Sequence, residues 1–152
     1  MVNLFDYDDP NAMQSPAGEM ILGDLSEAEW EALLNFVERK HYAVGARVLR
    51  QGEADRTLYI LLSGQVEVID ESSRNRKLIA TIYAGSVLGE LAFFDGAPRS
   101  ATVFATQASE LLALPYSSFD KLATWHPRIA RALLFDLGRV LSGRLRRAEK
   151  AQ

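Results

Sequence analysis

The sequence predicts a mainly β fold, an antiparallel barrel or sandwich with a helix before it and helices after it. Three observations lead there. From His41 to Pro115, apolar and polar residues alternate in short runs rich in Val, Ile, Leu, Thr and Tyr, and a period of two is that of a strand with one buried face. Gly45, Gly52, Gly64, Gly85 and Gly96 cut these runs at intervals that suit turns. On both sides of this region the apolar spacing changes to that of a helix.

The elements follow in order. Residues 1–18 are polar, hold Pro10, Pro16 and Gly18 and show no period, so a mobile acidic tail is expected ahead of one domain, 19–152. DLSEAEWEALLNFVERK then reads as a helix. Ser26 is its cap, Glu29 fills the reciprocal capping position, and Trp30, Leu33, Leu34 and Val37 form its apolar stripe. The barrel is expected over about 41–115, from ARVLRQGE, TLYILLSGQVEVID, KLIATIYAGS and SATVFATQASELLALP, with DESSRNRK as a polar hairpin tip. Two C-terminal helices are expected over about 116–149. SSFDKLATW is the first, and Pro127 opens the second at a position where its missing N–H does no harm. That long helix carries Ile129, Leu133, Leu137, Val140, Leu141 and Leu145 as its stripe. No internal repeat interrupts the pattern.

Composition narrows the function. At 152 residues, 48% hydrophobic and 24% charged, the chain suits one globular domain with a proper core. No apolar run approaches the roughly 18 to 20 residues that span a bilayer, and MVNLFDYDDP is not a signal peptide. Cysteine is absent, which excludes disulfides, thiol catalysis and thiolate metal sites. A cytoplasmic location is the expectation. The net charge of −3 is unevenly spread: the first 31 residues hold eight acids and no Lys or Arg, whereas Arg128 to Lys150 hold seven basic residues against Asp136 and Glu149. Solvated helix surfaces account for such polarity more often than a nucleic-acid face does.

One stretch asks for more than a fold. In GELAFFDGAPRSATVFA, residues 89–105, Glu90 and Arg99 sit among small and apolar residues on either side of a DGAP turn. Gly89 permits close backbone approach, and a short helix beginning at Glu90 would present unpaired N–H groups. Arg grips a phosphate with parallel hydrogen bonds. An ionised carboxylate only accepts, so beside a phosphate it must address hydroxyls. A phosphate with a sugar hydroxyl next to it is one reading. A Glu90–Arg99 salt bridge closing the loop is the other.

The stretch closely resembles the phosphate-binding cassette of cyclic nucleotide-binding domains, through Gly89, Glu90, Leu91, Ala92, Pro98, Arg99, Ser100, Ala101, Thr102 and Val103. YAVGARVLRQGEADRTLYILLSGQVEVI resembles the family's opening strands, and the likeness covers about residues 25–145. It implies a jelly-roll (double-stranded β-helix) barrel that binds a cyclic nucleotide and catalyses nothing. Carried over, Glu90 accepts the ribose 2′-OH and Arg99 pairs with the exocyclic phosphate oxygens. The N–H groups of Leu91 or Ala92 and of Ser100 or Ala101 face the phosphate. Val68 and Ile79 wall the base pocket, a looser match. Where some relatives place a base-stacking arginine on the C-terminal helix, this chain has Leu134 beside Phe135, so an apolar cap is expected.

PRSATV resembles the cAMP-binding members, so cAMP is the expected ligand, with cGMP or a cyclic dinucleotide as alternatives. The resemblance further implies a regulatory domain that signals by a shift of its C-terminal helix to a protein partner or a second copy, with no cofactor and no membrane. Two rivals bear on this. A metal enzyme on such a barrel needs a His cluster, and only His41 and His126 are present. A transcription regulator would carry a recognition helix after the last helix, and no DNA-binding domain is expected within these residues, although a fragment of a cAMP-responsive regulator or channel fits as well. The family's degenerate members lose Glu90 or Arg99, and both stand here.

Overall fold

The computed structural model describes residues 17–150 apart from Ser73. All but the last two positions of the expected tail lie outside the described residues. A single 3-10 turn, Ala17–Glu19, leads to helix α1, Glu27–Leu34. Strands β1 (Glu38–Tyr42), β2 (Arg47–Leu49), β3 (Leu58–Ser63), β4 (Gln65–Asp70), β5 (Lys77–Tyr83) and β6 (Val87–Leu88) follow. A short helix α2, Glu90–Asp95, precedes β7 (Thr102–Ala105) and β8 (Ser109–Leu114), and α3 (Tyr116–Trp125) and α4 (Pro127–Lys150) close the chain.

The strands form two four-stranded antiparallel sheets, ordered β1-β8-β3-β6 and β2-β7-β4-β5. The mainly β architecture with helices at both ends is therefore the one the sequence predicted. β3 shows how the layers are assigned. Its side chains alternate, so Leu58, Ile60 and Leu62 join the helices in one core while Tyr59 and Leu61 face the second core between the sheets. That double burial is why LYILL reads as an unbroken apolar run. Leu112 and Leu114 of β8 sit with the helices, and Leu111 and Ala113 with the sheets, by the same alternation.

α1 has the predicted reciprocal cap: Ser26 Oγ accepts from the Glu29 N–H at 3.1 Å, and the Ser26 N–H donates to Glu29 Oε1 at 3.1 Å. It is shorter than predicted. The chain leaves the helix after Leu34, and Glu38–Tyr42 pairs along β8 as an edge strand. β1 is mostly exposed, so ERK shows no alternation and resembles a polar helix face in sequence. Trp30 and Leu33 are buried, and Leu34 and Val37 pack against the same core from outside it.

α4 divides in two. Ile129, Ala130, Leu133, Leu137 and Val140 are buried against the roll, each fully buried leucine contributing about 1.5–3 kcal/mol. After Val140 no described side chain of the helix is fully buried, and Leu145, expected on the stripe, is 62% exposed. A strap of residues 18–22 ties this helix to the sheets. The Ile21 N–H donates to the Gly85 carbonyl at 3.1 Å, and the Leu22 N–H to Asp136 Oδ2 at 2.8 Å. Arg139 donates to the carbonyls of Gly18 and Met20, both at 2.7 Å. The uneven charge of the sequence has its explanation here, because acidic N-terminal residues meet the basic helix: Glu29 pairs with Arg128, and Glu19 with Arg144 and Arg147. Among the described residues no helix is long and apolar enough to cross a membrane.

Candidate functional site

β6 ends at Leu88 and the chain turns through Gly89, whose φ of 78° a side-chain-bearing residue rarely adopts. A Cβ at this position would lie 2.6 Å from Arg99 Nη1 and 3.0 Å from the Thr57 carbonyl oxygen. Glycine is thus required twice, for the turn and for the approach of Arg99. α2 then begins with Glu90 directed inward; both Glu90 (9% exposed) and Arg99 (4%) are buried.

The two charges do not pair with each other, which removes the simple loop-closing salt bridge. Arg99 Nη2 donates to Asp55 Oδ2 at 2.8 Å and to the Thr57 carbonyl at 2.7 Å, and Nη1 donates to the Gly89 carbonyl at 3.0 Å. Its Nε is the single buried side-chain polar atom among the described residues without a hydrogen-bond partner. Burial works against the charge on Asp55, but the bonds from Arg99 and Thr57 outweigh it and hold its pKa below the usual 3.8. Arg99 is therefore held rigidly on three sides, with its Nε–H left over.

Glu90 is served from elsewhere. Arg144 Nη1, from the end of α4, donates to Glu90 Oε1 at 2.8 Å. The same guanidinium gives Nη2 to Ser86 Oγ at 3.2 Å and to the Val87 carbonyl at 2.9 Å, and Nε to Glu19 Oε1 at 3.2 Å. Burial disfavours this cation, yet Glu90 and Glu19 more than offset it and raise its pKa above the usual value.

Gly89, Glu90, Leu91, Ala92, Arg99, Ser100 and Ala101 line one cavity of about 300 Å³, and Val68 and Ile79 from β4 and β5 line it too. All nine residues singled out in the sequence thus share one cavity, at the lower end of the sizes usual for small-molecule sites. Its walls are mainly apolar, with Leu49, Ile82, Leu88 and Val103 on the roll side, and its charged groups are Glu90, Arg99 and Arg144. Two cations and one carboxylate suit an anion that also carries hydroxyl donors.

The expected apolar cap is not at this site. Leu134 and Phe135 line a separate groove with Phe119, Ala123, Pro127 and Ala130. Leu134 and Phe135 lie on the half of α4 whose other face is packed into the core, and the side chain of α4 that reaches the cavity is Arg144. Position counting along the helix missed it because the helix approaches the cavity only after its last buried residue. Asp55 was missed as well. The signal for Arg144 was the opposition of acidic N-terminus and basic last helix; for Asp55, 44 residues from Arg99 in sequence, spacing gives none.

Residues 39–124 match the family model described as "Cyclic nucleotide-binding domain". The chain is 32% identical over 127 residues to Glutaminase 2 of Bradyrhizobium diazoefficiens, covering 84% of this chain and 20% of that protein. It is 33% identical over 113 residues to the cAMP-dependent protein kinase regulatory subunit of Blastocladiella emersonii, covering 74% of this chain and 28% of the relative. The chain therefore spans less than a third of the length of either relative. Among solved structures, a cyclic nucleotide-binding domain from Methylobacillus flagellatus superposes with a TM-score of 0.78 at 26% identity, over 86% of this chain and 74% of that one.

Proposed function

The chain belongs to the cyclic nucleotide-binding domain family, and from that premise we propose that it is a sensor for cAMP, without catalysis, acting in the cytoplasm. Glu90 accepts the ribose 2′-OH, and Arg99 takes the exocyclic phosphate. The N–H groups around Leu91, Ala92, Ser100 and Ala101 face that phosphate, and the base lies toward Val68 and Ile79. The observation that carries this reading is Arg99: a buried guanidinium on the cavity wall, fixed by Asp55, Thr57 and Gly89, whose Nε–H has no acceptor of its own. A buried donor left unsatisfied is disfavoured, and a phosphate oxygen in the cavity would satisfy it. The name of the fungal relative, a cAMP-dependent kinase regulatory subunit, supports cAMP over cGMP. The output is a shift of the C-terminal helix, read by a partner protein or a second copy. In a longer protein this unit would be its regulatory domain.

Calorimetric titration with cAMP, cGMP, a cyclic dinucleotide and AMP tests the reading. cAMP is expected to bind tightest, and AMP, with its extra charge and free 3′-OH, weakest among the mononucleotides. Arg99→Ala should weaken cAMP binding by about 2–5 kcal/mol, because the phosphate is then buried without its charge partner. Unchanged affinity in that variant would refute the site, provided that its melting shows it folded.

A further inference from the structure

α2 is the least self-sufficient part of the cavity wall. It has six residues, Glu90–Asp95, and gives Glu90, Leu91 and Ala92 to the lining. A helix so short forms too few internal bonds to offset the cost of starting it. Gly89 precedes it, so no side chain caps its N-terminus, whereas α1 has Ser26 in that role. The support for α2 comes from its other end.

The last four carbonyls of a helix have no partner within it, and in α2 these belong to Ala92, Phe93, Phe94 and Asp95. The Gly96 N–H donates to the Ala92 carbonyl at 2.9 Å. Arg56, from the loop between β2 and β3, serves the next two. Its Nη2 donates to the Phe93 carbonyl at 2.9 Å and to the Phe94 carbonyl at 3.0 Å, and its Nε donates to the Phe93 carbonyl at 3.3 Å. A cation at this end also complements the helix dipole. The guanidinium is itself seated 3.7 Å from the centroid of the Tyr116 ring, whose face attracts a cation. Tyr116 packs on Phe93 with ring centroids 5.6 Å apart, so the clamp closes on the helix it holds. Arg56, Phe93, Phe94 and Tyr116 all stand outside the cavity lining.

Arg56 lies between the two residues that hold Arg99: Asp55 through its carboxylate and Thr57 through its carbonyl. Three consecutive residues thus grip both halves of the site, Arg99 on one side and α2 on the other. We infer that Arg56 is a positioning residue for ligand binding: without touching the ligand, it clamps the C-terminal end of α2 against Tyr116 and so sets where Glu90, Leu91 and Ala92 stand relative to Arg99. The inference rests on the cyclic nucleotide reading of this cavity. Apparent affinity is then the intrinsic affinity scaled by the fraction of the protein with α2 in place.

Two variants of the full chain test it. Arg56→Met keeps an apolar stem over Tyr116 and makes none of the three bonds; Arg56→Lys keeps a cation but not the fork. If α2 is in place about a tenth of the time in Arg56→Met, that variant binds cAMP roughly tenfold more weakly than the parent, and Arg56→Lys falls between the two. Parent-like binding by a folded Arg56→Met, or a lysine variant no better than the methionine one, would overturn the positioning role. Hydrogen exchange without nucleotide separates positioning from general stability. The Phe93 and Gly96 amides, which donate to the Gly89 and Ala92 carbonyls, should exchange faster in Arg56→Met while those of β3 and β8 keep the parent rates. Unchanged exchange at Phe93 and Gly96, or faster exchange throughout the strands, would overturn the inference. Saturating cAMP should restore slow exchange at both amides in Arg56→Met, because the ligand selects the ordered arrangement; persistent fast exchange at saturation counts against it. A parent protein that binds no cAMP would instead overturn the ligand reading, and the exchange data without nucleotide would still decide whether Arg56 holds α2.

Discussion

Arg99 and Glu90 are the residues most legible in the sequence, and their partners the least. Their nine-residue separation, the flanking glycine and the small neighbours identify a compact loop with chemistry in it, because all of those features are local. Asp55 and Arg144 come from distant elements, and no spacing rule links a side chain to one that folding brings beside it. Asp55 nevertheless fixes the arginine on which the site depends. Its carboxyl is held below the usual 3.8 by Arg99 and Thr57 against the opposing effect of burial. A group whose folded pKa is depressed stabilises the fold at pH above its unfolded value, and that contribution disappears as pH falls through the folded value. Melting temperature followed from pH 3.8 downward should therefore fall more steeply in the parent than in Asp55→Asn, which has no such proton to take up. Parallel profiles would show that Asp55 does not anchor Arg99 in solution.

Elements were legible wherever burial is one-sided or complete. The alternating strands, α3 and the start of α4 follow from periodicity, and β3 from its unbroken apolar run. Glu38–Lys40, the first three residues of β1, read as the end of a helix because an exposed edge strand has no buried face to imprint a period of two. α4 was assigned the right length but the wrong division of labour. The sequence stripe runs through Leu145, yet burial stops at Val140, since periodicity shows which face of a helix is apolar and not how far the neighbouring surface extends. Truncation separates the halves. Leu133→Ala, in the fully buried part, should destabilise the fold by about 2–5 kcal/mol, whereas Leu145→Ala should stay within about 0.5 kcal/mol. Denaturant unfolding measures both, and comparable losses would mean that the helix end is packed after all.

For the whole molecule, the roll is a frame with a core on each side of one sheet, and the cavity opens where the second sheet meets β6 and α2. The strap at residues 18–22 and α4 hold each other through Asp136, Arg139, Arg144 and Arg147, so the acidic start and basic end of the chain, ambiguous in sequence, join within one structure. Arg144 connects that junction to the carboxylate in the cavity, which gives events at the site a physical route to the end of the helix. The account depends most on the nucleotide occupying this cavity. An amide-resolved NMR titration of the unmodified protein with cAMP tests that directly. The largest saturable shifts should fall on Gly89 to Ala92 and Arg99 to Ala101, with smaller ones at Val68 and Ile79. Shifts confined to other surfaces, such as the groove at Ala130 and Leu134, or no saturable shift at Gly89 to Ala92, would contradict it.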